Sequence, residues 1–203
     1  MPNSISVIIV AGVKTMNVYD FDNTIYDGES VLDLFIFYLK KKPELLKEAP
    51  WIAKAAFKYK SGKMTLDEAL EKYQDRVEKL SETIEDIESN VGIFWDKHCT
   101  KIKSFYFKQR KEDDVIVSAC LDISIAEVCK RLGIKNYIAS ETDIVNHKLV
   151  SFCFRENKVK AFKAKYPDAV IENFYTDSLN DKPMIDLAQN AYLVKGSKIT
   201  KIK

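Results

Sequence analysis

The sequence is poor in the residues that build metal fingers, disulfide frameworks and flexible linkers. It has only four cysteines, two histidines, six glycines and five prolines among 203 residues. The cysteines form no C-x-x-C pair and show no zinc-ligand spacing, which argues against the common zinc motifs. We therefore expect free, buried thiols in a reducing cytosol, and so a cytoplasmic protein. No proline- or glycine-rich linker, internal repeat or low-complexity tract divides the chain.

The sequence also lacks an excess of either charge and any long apolar run. Its formal net charge is +2, which gives no reason to expect a nucleic-acid partner. The apolar residues 6–13 are far fewer than the roughly 20 needed to span a bilayer, and no charged leader precedes them. We expect residues 1–15 to be a dispensable N-terminal extension, with an additional edge strand as the alternative.

Two aspartates separated by a single residue form the most informative pattern in the chain. Asp20 and Asp22 follow a short apolar run and are themselves followed by Thr24. If residues 17–20 form a buried strand, Asp20 lies at its carboxyl end, where open α/β sheets bind their ligands. Two carboxylates this close repel each other unless a cation lies between them, and Mg²⁺ prefers such hard oxygen ligands. The pattern therefore indicates a Mg²⁺ site.

Three further patterns follow in order along the chain. An apolar run ends in Ser118, Lys158 stands at the start of a helical pattern, and the acidic pair Asp177 and Asp181 follows another apolar run. Together with the first pattern, Asp-x-Asp-x-Thr, they resemble the four signatures of the haloacid dehalogenase-like superfamily. The resemblance covers nearly the whole chain, from residue 20 to residue 181.

The resemblance, and the alternation of apolar runs with helical patterns, imply an α/β fold with a Rossmann-like parallel sheet flanked by helices. We expect strands at 115–119, 136–139, 171–175 and 191–194, and a small hairpin within 143–154. Residues 16–29 and 108–203 would form this core. Residues 30–107 form a long helical block with a capping box at 65–68. The block resembles the α-helical cap domain that the phosphoserine phosphatase-like branch inserts after the first motif, where it excludes water and selects the substrate.

The resemblance assigns a role to each motif residue. In the family the first aspartate is the nucleophile and the second is the general acid and base, which implies catalytic roles for Asp20 and Asp22. The implied phosphate-binding residues are Ser118, Lys158 and Asn180. The implied Mg²⁺ ligands are Asp20, Asp22 through its backbone carbonyl, Asp177 and Asp181. A helix N-cap is the alternative role for Asp181, and Lys160 is the alternative to Lys158.

Two further positions bear on the substrate. Glu29 falls where phosphoserine phosphatases place a glutamate that binds the amino group of the substrate. Arg155 stands where relatives often have glycine. We expect a solvated side chain at Arg155, with contact to an anionic substrate as the alternative.

The resemblance implies a Mg²⁺-dependent phosphomonoester hydrolase that acts through an aspartyl-phosphate on a small phosphorylated metabolite or a lipid head group. A phosphotransferase is one alternative, and a catalytically silent protein of the same fold that binds a phosphorylated ligand is another. The expected partner is a small-molecule phosphate ester. Residues 32–63 mix aromatics with lysines, so the cap can rest on an anionic membrane. Core-facing aromatics beside solvated lysines are the favoured interpretation, and the oligomeric state stays open.

Overall fold

A six-stranded sheet forms the centre of the protein in the computed structural model, which describes residues 14–64 and 66–203. The strands in chain order are β1 (Thr15–Tyr19), β2 (Val115–Leu121), β3 (Asn136–Ser140), β4 (Thr142–Asp143), β5 (Lys148–Leu149), β6 (Val170–Thr176), β7 (Asn190–Lys195) and β8 (Lys198–Lys201). Strands β4 and β5 pair with each other in a separate antiparallel hairpin. The other strands form the central sheet in the order β3-β2-β1-β6-β7-β8.

The strands of this sheet run parallel except β8, which lies antiparallel to β7. The predicted Rossmann-like parallel sheet is therefore confirmed. Strand β8 was not predicted, and it follows β7 through a two-residue turn in which Gly196 has a φ of +59°. Glycine adopts this left-handed conformation without a steric penalty. Strand β2 continues beyond its predicted end to Leu121, and the hairpin pairs only residues 142–143 with 148–149.

Helices cover the sheet and fill the long connection between its first two strands. They are α1 (Ser30–Lys41), α2 (Ala49–Lys60), α3 (Leu66–Glu82), α4 (Ile87–His98), α5 (Ser104–Gln109), α6 (Asp122–Leu132), α7 (Glu156–Lys165) and α8 (Lys182–Leu187). Short 3₁₀ helices span Pro43–Glu48, Cys99–Lys101 and Leu179–Asp181. Helices α1 to α5 lie between β1 and β2 in the chain, which is the region predicted as a helical insertion.

Both faces of the sheet are buried. Successive side chains of a strand point to opposite faces, so Met16 and Val18 of β1 pack in one apolar cluster with Phe162 of α7. Tyr19 of the same strand packs in the other cluster, together with Phe94 of α4. A parallel sheet covered on both sides leaves only its strand ends open to ligands.

The inserted segment does not pack as one block. Trp95 of α4 is fully buried in the cluster that contains Tyr19, and its Nε1 donates a hydrogen bond to the carbonyl oxygen of Ser124 at 2.9 Å. Helix α2 packs instead against the preceding 3₁₀ helix and α3. Helix α4 is thus tied to the sheet, whereas the division into a core of 16–29 and 108–203 and a cap of 30–107 stays a prediction.

The aromatic residues of α1 and α2 differ in their burial. Tyr38 is 6% exposed and Phe37 packs against a buried cluster, which fits the core-facing interpretation. Phe57 is 67% exposed. Contact of this region with lipid stays a prediction. No helix in the described ranges 14–64 and 66–203 is long and apolar enough to cross a bilayer.

Two expectations fall wholly or partly outside the described residues. The N-terminal extension was expected to span residues 1–15, and residues 1–13 of it are not described. Thr15, its last residue, already belongs to β1. The capping box was expected to begin at Thr65, which also lies outside the described residues.

Truncation of a core aromatic should cost far more stability than truncation of an exposed one. Phe174 in β6 is fully buried, whereas Phe57 in α2 is largely exposed. We expect Phe174→Ala to lower the free energy of unfolding by about 3–5 kcal/mol, because it removes buried area and leaves a cavity. Phe57→Ala should change it by no more than about 0.5 kcal/mol. Urea unfolding measures both, and similar losses for the two variants would contradict this packing.

Candidate active site

The carboxyl ends of the central strands and the start of α7 meet around one cavity of about 160 Å³. Every residue favoured for the site from its motif lines this cavity: Asp20, Asp22, Glu29, Ser118, Lys158, Asp177, Asn180 and Asp181. The alternatives Lys160 and Arg155 are not among the lining residues. The strand order β2-β1-β6 explains the convergence, because Asp20 and Asp177 directly follow β1 and β6, and Ser118 lies on β2 just beyond the residues paired with β1. The structure therefore brings the four sequence motifs together, and the chemical role of each residue stays a prediction.

A buried ion-pair network lies at the bottom of the cavity. The Nζ of Lys158 donates hydrogen bonds to Oδ1 of Asp20 at 2.7 Å and to Oδ2 of Asp181 at 3.0 Å. Lys158 is 2% exposed. The hydroxyl of Thr24 donates to the other oxygen of Asp20, Oδ2, at 3.0 Å. Both oxygens of Asp20 are thus held in place by donors from different parts of the chain.

Asp181 is oriented toward Lys158 and away from the helix that it precedes. Its Oδ2 also accepts a hydrogen bond from the hydroxyl of Thr176 at 2.8 Å, and its side chain makes no capping bond to α8. The alternative role as a side-chain N-cap is therefore not what the structure shows. Its proposed role in binding a metal stays a prediction.

The geometry distinguishes between the two lysines proposed for the site. Lys158 lies in the first turn of α7 and reaches Asp20, whereas Lys160 is exposed. The residue before this helix, Arg155, has a φ of +48°. Non-glycine residues rarely adopt positive φ, so this conformation explains why glycine suits the position. The guanidinium of Arg155 lies 5.2 Å from the ring centre of Phe154, which also lines the cavity.

Burial and mutual repulsion perturb the acidic groups of the network. Burial raises the pKa of Asp20 to about 7, and although Lys158 opposes the shift, the nearby Asp181 and Asp177 carboxylates add to it. Burial also raises the pKa of Asp177, with Asp181 and Glu29 contributing. Burial alone would lower the pKa of Lys158, but the neighbouring carboxylates hold it above its ordinary value. Such shifts are typical of functional sites.

Asp22 is held by contacts that the sequence analysis did not anticipate. Its Oδ1 accepts a hydrogen bond from the backbone N–H of Ser30 at 2.9 Å, and its Oδ2 accepts one from the thiol of Cys120 at 3.0 Å. Burial raises the pKa of Asp22, although both hydrogen bonds oppose the shift. Cys120 is separated from Asp22 by 98 positions in the chain, so no local sequence pattern could reveal this contact.

The remaining site residues present polar groups to the cavity. Ser118 is 1% exposed, and its Oγ accepts a hydrogen bond from the backbone N–H of Cys120 at 3.1 Å. The hydroxyl hydrogen of Ser118 therefore stays available for a ligand. Asn180 is exposed at the rim. Glu29 is also exposed, and it accepts a hydrogen bond from Nδ2 of Asn23 at 2.9 Å.

The donor set of the cavity fits a hard cation in part. Among the described residues, no group of three Asp, Glu, His or Cys side chains is arranged to hold a metal ion unaided. Asp177, however, is half-buried beside the other carboxylates and makes no hydrogen bond or ion pair with any described residue. Mg²⁺ needs only one or two protein carboxylates, since it keeps several water ligands. The side chains of Asp20 and Asp177, with the backbone carbonyl of Asp22, are the donors that fit it.

A second cavity of about 160 Å³ lies between the end of α3 and the β4–β5 hairpin. Ile84, Ile87, Leu121 and Ile123 contribute to its mainly apolar lining. Its described lining residues include no buried ion pair like that of Lys158, so the first cavity is the better candidate for a reaction site.

Comparison with known proteins identifies the family. The family model described as haloacid dehalogenase-like hydrolase matches residues 18–186. No curated protein resembles the sequence closely enough to count as a match. A protein with unknown function from Bordetella pertussis Tohama I has a similar crystal structure, with a TM-score of 0.67, 15% sequence identity and coverage of 89% of each chain.

Two other solved structures share the fold. A phosphoserine phosphohydrolase-like protein from Francisella tularensis has a TM-score of 0.57 and 21% identity, with coverage of 87% of this chain and 85% of that one. Cytosolic 5'-nucleotidase IIIB bound to cytidine has a TM-score of 0.53 and 16% identity, with coverage of 87% and 69%. At these identities the likeness establishes the fold alone.

Removal of the buried ammonium group should destabilise the protein strongly at neutral pH. We expect Lys158→Met to lower the free energy of unfolding by about 3–5 kcal/mol, because it leaves Asp20 and Asp181 buried without a counter-charge. The loss should shrink as the pH falls, since Lys158 lowers the pKa of Asp20 and its removal lets this carboxyl protonate at a higher pH than in the wild type. The protonated carboxyl needs no counter-charge. Lys160→Met, the same substitution at an exposed position, should stay within about 0.5 kcal/mol. Urea unfolding as a function of pH tests this, and a loss independent of pH would contradict it.

Proposed function

The chain belongs to the haloacid dehalogenase-like hydrolase family, and from that membership we propose that it is a Mg²⁺-dependent phosphomonoester hydrolase that forms an aspartyl-phosphate intermediate. The observation that carries the proposal is the network in which Lys158 and Thr24 hold both oxygens of Asp20 at the open end of the sheet. A nucleophilic carboxylate needs this kind of fixed orientation toward the phosphorus atom.

The first chemical step is transfer of the phosphoryl group to Asp20. An oxygen of Asp20 attacks the phosphorus, a new O–P bond forms, and the bond to the leaving alcohol breaks. The hydroxyl of Ser118, the ammonium of Lys158 and the side chain of Asn180 face the cavity and bind the phosphoryl oxygens, whose negative charge must be stabilised in the transition state.

Asp22 supplies the proton that the leaving alcohol needs. Because burial raises its pKa, Asp22 holds a proton more readily than an ordinary surface aspartate does. It donates this proton to the leaving oxygen and then, as a carboxylate, accepts a proton from the water that attacks the aspartyl-phosphate. The P–O bond to Asp20 breaks in this second step, and inorganic phosphate leaves.

Excess negative charge in the cavity supports the requirement for a divalent cation. Lys158 pairs directly with Asp20 and Asp181, whereas Asp177 has no ion-pair partner among the described residues and interacts with Lys195 and Lys158 only at longer range. Bound Mg²⁺ would neutralise part of the charge of the phosphoryl group and its nucleophile. Asp20, Asp177 and the backbone carbonyl of Asp22 would hold it, and Asp181 would support the site through Lys158.

The inserted helices would determine which phosphate ester enters. We assign residues 30–107 the role of a cap, and Glu29, at the rim just before α1, a contact with a positively charged group of the substrate. The substrate class is a small phosphorylated metabolite or a lipid head group, and the location is cytoplasmic. Phosphoserine is the first compound to test, because its amino group suits Glu29.

Hydrolysis of a panel of phosphate esters with and without Mg²⁺ tests the proposed function. The panel holds phosphoserine, sugar phosphates, nucleotides, phosphocholine and a lysophosphatidate. We expect Mg²⁺-dependent phosphate release that Asp20→Asn reduces by at least about a thousandfold, since the nucleophile is lost. Asp186→Asn, the same change at an exposed position on α8, should retain the wild-type rate.

Two outcomes of this experiment would favour the other functions. A folded, Mg²⁺-binding wild type that hydrolyses none of the esters would point to a protein that binds a phosphorylated ligand. Transfer of the phosphoryl group to an added alcohol in preference to water would point to a phosphotransferase.

Mg²⁺ binding should weaken at acidic pH. Protons compete with the cation for the carboxylates, and the raised pKa of Asp20, about 7, places this competition near neutral pH. Burial also raises the pKa of Asp177, which shifts its competition in the same direction. We therefore expect millimolar Mg²⁺ to raise the melting temperature clearly at about pH 8 and far less at about pH 5.5. Asp177→Asn should remove most of the increase, whereas Asp186→Asn should not. An equal increase at both pH values would contradict the assignment of these ligands.

A further inference from the structure

We propose that Cys120 is a positioning residue which, together with Ser30, holds the carboxyl group of Asp22 in the orientation needed to protonate the leaving group. The inference rests on the proposed function, because it gives Cys120 a purpose only if Asp22 transfers protons. It adds a residue that none of the four sequence motifs contains.

Three short contacts carry the inference. The Sγ of Cys120 lies 3.0 Å from Oδ2 of Asp22 and 3.2 Å from Oγ of Ser30, and the backbone N–H of Ser30 donates to Oδ1 of Asp22 at 2.9 Å. Cys120 is 3% exposed and Ser30 is 1% exposed. Each oxygen of Asp22 is therefore bonded to a different element, one to β2 and the other to the first residue of α1. Two such bonds fix the rotation of the carboxyl plane.

The hydrogen bonds from Ser30 to Cys120 and from Cys120 to Asp22 can both run in the same direction. The thiol of Cys120 donates to Oδ2 of Asp22 in both protonation states of the carboxyl group. An ionised carboxylate can only accept, and a protonated carboxyl keeps lone pairs that accept while its own O–H donates to the leaving oxygen. The sulfur in turn can accept the hydroxyl hydrogen of Ser30. A thiol is a weak donor, and its contribution is to orientation rather than to binding strength. Orientation matters here because a misplacement of about 1 Å can cost about a hundredfold in rate.

Cys120 also contacts the phosphate-binding side of the cavity. Its backbone N–H donates to Oγ of Ser118 at 3.1 Å while its side chain reaches Asp22. One residue thus fixes the spacing between the serine assigned to the phosphoryl group and the aspartate assigned to the leaving oxygen. This spacing matters because the bond that breaks joins the phosphorus, whose oxygens Ser118 binds, to the leaving oxygen that Asp22 protonates.

The other buried cysteines lack these contacts. Cys129 is 1% exposed and Cys153 is 3% exposed. Neither thiol makes a hydrogen bond with a side chain in the described part of the protein, and burial raises the pKa of each to about 12. They behave as small apolar residues, which makes Cys129 a matched control for substitution.

The test compares two esters whose leaving groups differ in their need for a proton. β-Glycerophosphate releases an alkoxide that must be protonated, whereas p-nitrophenyl phosphate releases a stable phenolate that needs no proton. The value of kcat/KM reports the steps up to departure of the leaving group. A loss of kcat/KM that is larger for β-glycerophosphate than for p-nitrophenyl phosphate therefore reports a defect in proton donation and not in nucleophilic attack.

We expect Cys120→Ala to lower kcat/KM for β-glycerophosphate by about tenfold to a hundredfold and for p-nitrophenyl phosphate by less than about threefold. Cys120→Ser, which keeps a donor, should recover β-glycerophosphate hydrolysis to within about threefold of wild type. Ser30→Ala should show a smaller loss of the same selectivity, since its backbone N–H remains. Cys129→Ala should leave both values unchanged. Circular dichroism and urea unfolding check that each variant is folded.

The outcomes separate this inference from the proposed function. The inference alone is overturned if the wild type hydrolyses the esters but folded Cys120→Ala loses kcat/KM equally on both, or loses none. If Cys120→Ala does not fold, Ser30→Ala and Cys120→Ser test the inference instead. The inference is then overturned if Ser30→Ala does not lose more kcat/KM on β-glycerophosphate than on p-nitrophenyl phosphate. A folded wild type that hydrolyses neither these two esters nor any ester of the panel above overturns the proposed function and the inference with it.

Discussion

The site depends on one buried ammonium group placed between two carboxylates. Lys158 neutralises Asp20 and Asp181 where water cannot do so, and without it both carboxylates would carry an uncompensated desolvation cost. Asp177 adds a third negative charge with no ion-pair partner among the described residues. The fold therefore leaves the carboxylate of Asp177 without a direct counter-charge from the part of the chain that the structure describes, and Lys195 acts on it only at longer range. A divalent cation or a proton can offset this negative charge, and this links metal binding, pH and stability.

The topology explains why these charges meet. Strand β1 lies between β2 and β6, so their carboxyl ends deliver residues that are distant in the chain to one edge. Helix α7 must then enter at an angle that points Lys158 into that edge. The positive φ of Arg155 makes this entry possible, at a conformational cost that a glycine would not carry. Backbone strain next to a functional group is tolerated where the surrounding structure fixes it.

The sequence was sufficient to predict the sheet and the residues around the cavity, because each motif combines a short apolar run with a polar residue at its end. It could not predict how α4 packs, since Trp95 reaches Ser124 through a tertiary contact. The sequence could not choose between Lys158 and Lys160 as the site lysine, because they differ in burial and not in their spacing from the other motifs. Cys120 resembled any other buried thiol, and only the fold reveals its proximity to Asp22. Strand β8 has only four residues, Lys198–Lys201, and three of them are polar, so its sequence shows too little apolar alternation to predict a strand.

The contacts of Asp22 also connect the chemistry to the inserted helices. Ser30, which holds Asp22, is the first residue of α1. The beginning of the insertion is fixed to its end, because the hydroxyl of Tyr26 and the Nζ of Lys101 both donate to Asp33, at 2.6 and 2.5 Å. This joint keeps Ser30 in place independently of α2 and α3. The contacts that hold Asp22 therefore involve neither α2 nor α3, as the proposed cap over a preorganised site would require.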